Sequence, residues 1–286
     1  MANWSKTRGI TDKDLRIFHF LWRWKIVPTT AIHLAFSPDN HPYSTYYRLK
    51  ALCKQGYLRL EAVGESASRF GWTLTAKSFN VIRPSLPEDI ANGFRSEAIE
   101  HDFLVSAIHM GPCVRDMEGL AQFTEQELRN LPQDRYPDWV PATDLHRPDG
   151  YWGVLEDRKM TVVALEVERT VKSTKRYQEV ADFYEKQPGI MFVVWAVETP
   201  GKLQSIRSSI EKFTPKLVNM HQFTLISDIR VNGWNAQFRN GLLAGKSLAS
   251  LLTSGFKTPL NLKTLPGLNG SISAYKSGVS EKPSIH

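Results

Sequence analysis

At 286 residues the chain is long enough for two domains and a sizeable core, and its 42% apolar and 23% charged residues are ordinary for a folded protein. No apolar run reaches membrane-spanning length, and the segment Met1–Lys6 lacks the apolar core of a signal peptide, so we expect no membrane span and a cytoplasmic setting. The net charge of +7 is unevenly placed: residues 1–95 hold 14 Lys and Arg against 7 Asp and Glu, residues 96–239 hold 17 against 21, and residues 240–286 hold 5 against 1. A basic module beside an acidic one suggests that the first grips a polyanion and the second holds cations, although a merely soluble basic surface gives the same numbers. Two cysteines, Cys53 and Cys113, lie far apart and near no histidine cluster, and read as buried thiols in a reducing compartment rather than a disulfide or zinc site.

Thr11 with Asp14 three residues on predicts a capped helix, followed at helical spacing by Leu15, Phe18, Leu21 and Trp22. Pro28 breaks it, and Thr29 or Thr30 caps a short second helix through Ile32 and Phe36. After a turn at residues 37–42, a third helix runs from Tyr43 and stops at Gly56. Leu49, Leu52 and Cys53 form its inner side, while Tyr43, Ser44, Thr45, Tyr47, Arg48 and Lys50 form a polar and aromatic outer side. Residues 57–63 and 70–75 alternate as a hairpin whose loop carries Arg69. Three helices and a hairpin resemble a winged helix-turn-helix. That layout puts the third helix in a major groove and the hairpin against phosphate. Arg48, Lys50, Lys54 and Arg69 would then meet phosphates or base edges, whereas the tryptophans Trp4, Trp22 and Trp24 pack. Winged helices also bind proteins; the local positive charge favours DNA.

A short helix at 76–83 precedes a linker at 84–95. Residues 95–110 read as an amphipathic helix and 114–123 as a strand, followed by a short helix capped by Thr124. Residues 136–140 and 151–155 read as strands flanking a turn at Arg147–Gly150. Residues 160–167 form a buried strand, and a basic helix bears Lys172, Lys175, Arg176, Tyr177 and Tyr184. Residues 189–197 give a last buried strand, with a helix behind it at 202–213. From about residue 240 the text weakens, and a helix within 242–252 is followed by a stretch without period. We expect a flexible basic tail over 240–286.

Glu166 and Glu168 stand two apart at the end of the buried strand and leave the same face of the pleat. Two such carboxylates repel unless a cation or solvent lies beside them. With an Asp after a Pro, at Pro137-Asp138, they would make a set of hard oxygen ligands for Mg²⁺ or Mn²⁺. The plainer reading is a strand end reaching water, with the acids paired to Arg169 and Lys172.

The order helix, strands, helix, strand, with Pro137-Asp138 followed by Glu166-Val-Glu168, resembles the restriction-endonuclease-like fold of the PD-(D/E)XK nucleases. The fuller layout adds a winged helix ahead of His101-Asp102, then Tyr136-Pro-Asp138, Leu165-Glu-Val-Glu-Arg169 and a lysine-rich helix with a tyrosine. Over about residues 10–200 it resembles the replication-relaxation family, which includes C-class plasmid mobilisation relaxases. The resemblance implies an α+β chain: a winged helix over 1–83, a linker at 84–95 and an αβββαβ nuclease domain over 96–239. It implies that Asp138 and Glu166 hold Mg²⁺ and that the protein nicks double-stranded DNA at an origin-type site beside other transfer or replication proteins. The products would be a 3′-hydroxyl and a 5′-phosphate, with no covalent protein link. The family's lysine two positions after the second acid is Glu168 here. Either Glu168 is a third ligand, or Lys172 or Lys175 supplies the charge, or the fold is a non-catalytic DNA-binding regulator or relaxosome accessory factor. His101 has a place near such a site, though a satisfied helix histidine is the simpler account. Tyr177 and Tyr184 read as packing residues rather than nucleophiles.

Overall fold

The structure is a computed structural model and describes residues 9–64, 69–86, 93–96, 98–112, 118–142, 145–156 and 159–253. Helix α1 (Asp12–Trp24) starts on the expected box: the Thr11 hydroxyl accepts the Asp14 N–H, and the Asp14 carboxylate accepts the Thr11 N–H at 2.8 Å. It ends at Lys25, whose φ of 59° and ψ of −52° close a tight turn through Ile26 N–H to Trp24 C=O, 2.7 Å. Helix α2 (Thr29–Phe36) has Pro28 at its cap and no side-chain cap; the Thr29 hydroxyl instead accepts the Trp72 indole N–H at 2.8 Å. Helix α3 (Pro42–Lys54) begins with proline in its first turn, where a missing N–H costs nothing. Strands β1 (Leu58–Ala62) and β2 (Phe70–Leu74) form an antiparallel pair, and a single bridge from Val27 to Trp72 extends it. Helix α4 (Ala76–Ile82) closes a core of Phe18, Leu21, Ile32, Leu49, Leu52, Trp72 and Phe79. Phe94, expected in a linker, stacks on Phe79 at 5.0 Å and is buried there; residues 87–92 lie outside the described residues.

The second half is built on helix α5 (Ile99–Met110), strand β3 (Leu120–Thr124), helix α6 (Glu125–Asn130), strands β4 (Gly150–Glu156) and β5 (Lys159–Glu168), helix α7 (Thr174–Glu185), strand β6 (Ile190–Val197), helix α8 (Pro200–Phe213), strand β7 (His221–Leu225) and helices α9 (Ile226–Asn232) and α10 (Leu248–Thr253). The five strands pair in chain order, β3-β4-β5-β6-β7. The first three are antiparallel, and β6 and β7 run parallel to β5. The chain is thus a mixed α+β structure with a mixed five-stranded sheet and a small antiparallel one.

Central strand β5 is apolar without alternation because both faces are covered. Val163, Leu165 and Val167 meet α5, α9 and α10 on one face; Val162 and Ala164 meet α7 and α8 on the other. Three indole or amide groups finish the end of α5: Trp234 Nε1 donates to Ile108 C=O at 2.8 Å, and Trp152 Nε1 and Gln122 Nε2 donate to His109 C=O at 2.9 and 2.8 Å.

Three expectations change. Residues 136–140 are not a strand: they follow a 3-10 turn at Gln133–Arg135, the Tyr136 hydroxyl is tied to Leu128 C=O at 2.7 Å, and Val140 N–H turns back to Pro137 C=O. The strand that pairs with β5 from that side is β4. The basic helix begins at Thr174 on an Ser173 cap, so Lys172 precedes it. Residues 240–253 are no tail: Phe238, Leu248, Leu251 and Leu252 are buried in the core beneath the sheet, and only 254–286 lie outside the described residues. Among the described residues no helix is long and apolar enough to cross a membrane.

Candidate functional site

The even-numbered face of β5 continues from Val162 and Ala164 to Glu166 and Glu168. Both acids are buried, at 6% and 4% exposure. The acid that joins them is Asp149, one residue beyond the in-register pair Gly150–Leu165 at the mouth of the β4–β5 hairpin. Its Oδ2 accepts the Val167 N–H at 2.6 Å, between the two glutamates, and its Oδ1 lies 3.2 Å from His101 Nε2 on α5. Asp138, the sequence candidate, is exposed in the turn after residue 135, and no contact ties it to these acids. Turn chemistry in Arg147-Pro-Asp-Gly150 hid this second Pro-Asp pair. Gly150 is required there because a Cβ would collide with the His109 ring. The hairpin register was the available signal: strands 151–155 and 160–165, joined by a short turn, bring 149 opposite 166.

Each carboxylate has a partner. Glu166 Oε1 accepts from Tyr184 Oη and lies 2.6 Å from His146 Nε2. Glu168 pairs with Lys172 Nζ at 2.9 Å. Lys172 N–H also meets Tyr177 Oη at 3.0 Å, which anchors the loop before α7. Arg169 turns away to Glu100 and Glu198, so of the expected pairings only that of Lys172 with Glu168 forms. Lys175 is exposed at the start of α7, while Arg176 reaches toward His146, 3.5 Å from Nδ1. Tyr177 and Tyr184 are both buried, and burial with the neighbouring Glu166 raises the Tyr184 hydroxyl well above its ordinary value, which suits a donor and not a nucleophile.

Burial pushes the Asp149 carboxyl up, and the charges of Glu166 and Glu125 add to that against the pull of His101. Glu168 is likewise raised by burial, with Lys172 opposing and Glu166 and Asp149 adding. Glu166 goes the other way: burial works against its charge, but His146, Tyr184 and Lys172 together hold it below the usual range. Burial lowers His101, yet Asp149, Asp102 and Glu125 outweigh it and raise its affinity for a proton. The charge of Glu166 raises the proton affinity of both Asp149 and Glu168, so this strand end is short of positive charge. The donors of the three acids are all hard oxygens, which suits Mg²⁺. No three His, Cys, Asp or Glu side chains among the described residues stand as a ready-made ligand group, because Glu168 is turned onto Lys172 and Glu166 onto His146 and Tyr184.

On α3 the candidates divide. Tyr43 and Tyr47 are 63% and 65% exposed, and Ser44, Lys50, Lys54 and the hairpin's Arg69 are also exposed. Thr45 is buried and meets the His33 ring at 3.1 Å, since its position on the helix faces α2. The Arg48 guanidinium folds back on Asp14, with Nε 2.9 Å from Oδ1, and so ties α3 to α1 rather than facing outward. No family model, no curated protein and no solved structure matches the chain.

Proposed function

We propose that the protein binds DNA and cuts one strand of it in a metal-dependent reaction, in the manner of the replication-relaxation relaxases, with Asp149 in the role the sequence pattern gave to Asp138. The observation that carries this reading is the half-buried Asp149 beside the buried Glu166 and Glu168 at one strand end, next to the cations Lys172 and Arg176. The order helix, three antiparallel strands, helix and parallel strand agrees with the layout of a restriction-endonuclease-like core. The three helices, hairpin and Val27 bridge agree with that of a winged helix. Asp149, Glu166 and Glu168 would hold Mg²⁺, which on binding polarises a phosphate and lowers the pKa of a bound water. Lys172, freed from Glu168, would face the phosphate, and His101 and the Val167 N–H fix the Asp149 carboxylate. His146 and Tyr184 fix Glu166.

A second reading has its own support. Glu168 stands where the nuclease pattern has lysine, and the carboxylates of Asp149 and Glu166 are already engaged by protein donors, as in a DNA-binding accessory protein that has lost cleavage. The test is a nicking assay on the supercoiled parent element with Mg²⁺ or EDTA. On the first reading wild type gives metal-dependent open circles, Asp149→Asn lowers the rate by more than about 100-fold, and Asp138→Asn leaves it unchanged. Binding with no cleavage by any form would establish the accessory reading.

A further inference from the structure

We infer that the exposed face of α3 is a stacking platform for unpaired bases, so that the DNA held by the N-terminal half is single-stranded or locally opened. This deepens the DNA reading and rests on it in taking the polyanion to be DNA; it is independent of the acid cluster. The Tyr43 and Tyr47 rings stand one helical turn apart, among the most exposed large side chains described. The His41 ring lies parallel to Tyr43, centroids 5.3 Å apart and planes 9° apart, and so stiffens it from one side. The Tyr43 and Tyr47 centroids are 6.3 Å apart and tilted by 34°. The two rings therefore meet at an angle rather than face to face, and each keeps ring surface open to solvent. A planar base is the complement of such an exposed ring face.

Charge names the occupant. From Asn40 to Leu60 there is no acidic residue, and Lys50 and Lys54 are exposed on the same helix. A protein partner would find no counter-charge to read other than cations, whereas a nucleic-acid strand supplies both phosphates and ring faces. Paired bases in a duplex offer a groove only their edges, which leaves both tyrosine faces without a partner. Unpaired bases offer their faces. This is the form of DNA a nicking protein meets where supercoiling opens its site.

The test uses the whole protein in EDTA, with fluorescence anisotropy on a labelled oligonucleotide as single strand and as duplex over a range of salt. We expect tighter binding to the single strand. Tyr43→Ala and Tyr47→Ala should each weaken it roughly 10-fold without changing the slope of log K against log salt. Tyr43→Phe should keep the affinity, because the ring and not the hydroxyl stacks. Lys50→Ala should instead flatten the slope. Tighter duplex binding, or single-strand affinity indifferent to both alanine variants, overturns the proposal. Because EDTA removes any cleavage, either result leaves the metal-site reading to be judged by the nicking assay alone.

Discussion

Arg48 illustrates how a residue's sequence context and its employment can part. It sits on the outer side of α3 by helical count, among tyrosines and lysines, and reads as a phosphate contact. Asp14 is 1% exposed, however, and its carboxylate was needed at the start of α1 for the capping box, so a buried charge had to find a cation. Arg48 is long enough to reach it from the adjacent helix. Burial works against the Asp14 charge, but Arg48 and Thr11 overcome it and hold the carboxyl below its ordinary value. Removing the cation strands the acid. Arg48→Ala should therefore lower stability by about 2 kcal/mol, measured by urea unfolding, while the salt dependence of DNA binding stays near that of the wild type. A flattened salt slope with unchanged stability would return Arg48 to the DNA surface. The exchange of Asp138 for Asp149 has the same character, since the two Pro-Asp pairs of the second half are equivalent as text and only one leads into a strand beside Glu166.

At the scale of elements, capping and periodicity were sufficient for α1, α3, the β1–β2 hairpin, β5, α7 and β6, because each carries its own start or its own apolar pattern. They fail where an element is held by something distant. Tyr136 to Val140 has the aromatic and branched residues of a strand, but β3 occupies the place beside β4, and the segment is held instead by the Tyr136 hydroxyl on Leu128 C=O and its own turn. Helix α10 was legible as a helix within 242–252, but its place in the core was not. Its flanks are rich in glycine and serine and read as a flexible tail, yet Leu248, Leu251 and Leu252 complete the core beneath β4. Leu251→Ala should cost about 2–5 kcal/mol in chemical denaturation, with a cooperative transition retained; a change below about 0.5 kcal/mol would mean that α10 is not part of that core.

Across the whole molecule, the two halves meet through buried polar and aromatic groups. Lys25, in its tight turn, pairs with Asp102 of α5 at 3.3 Å and with Glu125 of α6 at 2.7 Å. Arg23 pairs with Glu127 at 3.1 Å. The His109 ring lies edge-on to Trp24 at 5.3 Å and to Trp152 at 5.0 Å. Asp102 neighbours His101, so the helix that receives the first half also positions Asp149. Burial lowers His109 to about 3, and His221, behind Trp195, also to about 3. A free histidine titrates near ~6.5, so below that value the unfolded chain takes up protons that the folded chain refuses. The stability contributed by the two neutral rings is complete above ~6.5 and declines as pH falls toward 3, by about 1.4 kcal/mol per pH unit for each ring. Thermal melts between pH 7.5 and 5 should show the contribution of these rings as a slope that His109→Gln makes shallower in the direction of falling stability at low pH. A slope unchanged by His109→Gln would show that this ring is not held neutral.

The residues alone determined the helices and strands that are stabilised locally, the charge division between the halves and the single face shared by Glu166 and Glu168, since each depends only on neighbours in the chain and on periodicities of 3.6 and 2. Tertiary structure decided which aspartate joins the glutamates, which cations are consumed by buried acids and where the core ends. Those outcomes depend on pairing register and on which buried charge lies within reach of which partner, and such distances are set by strands and helices far apart in the sequence.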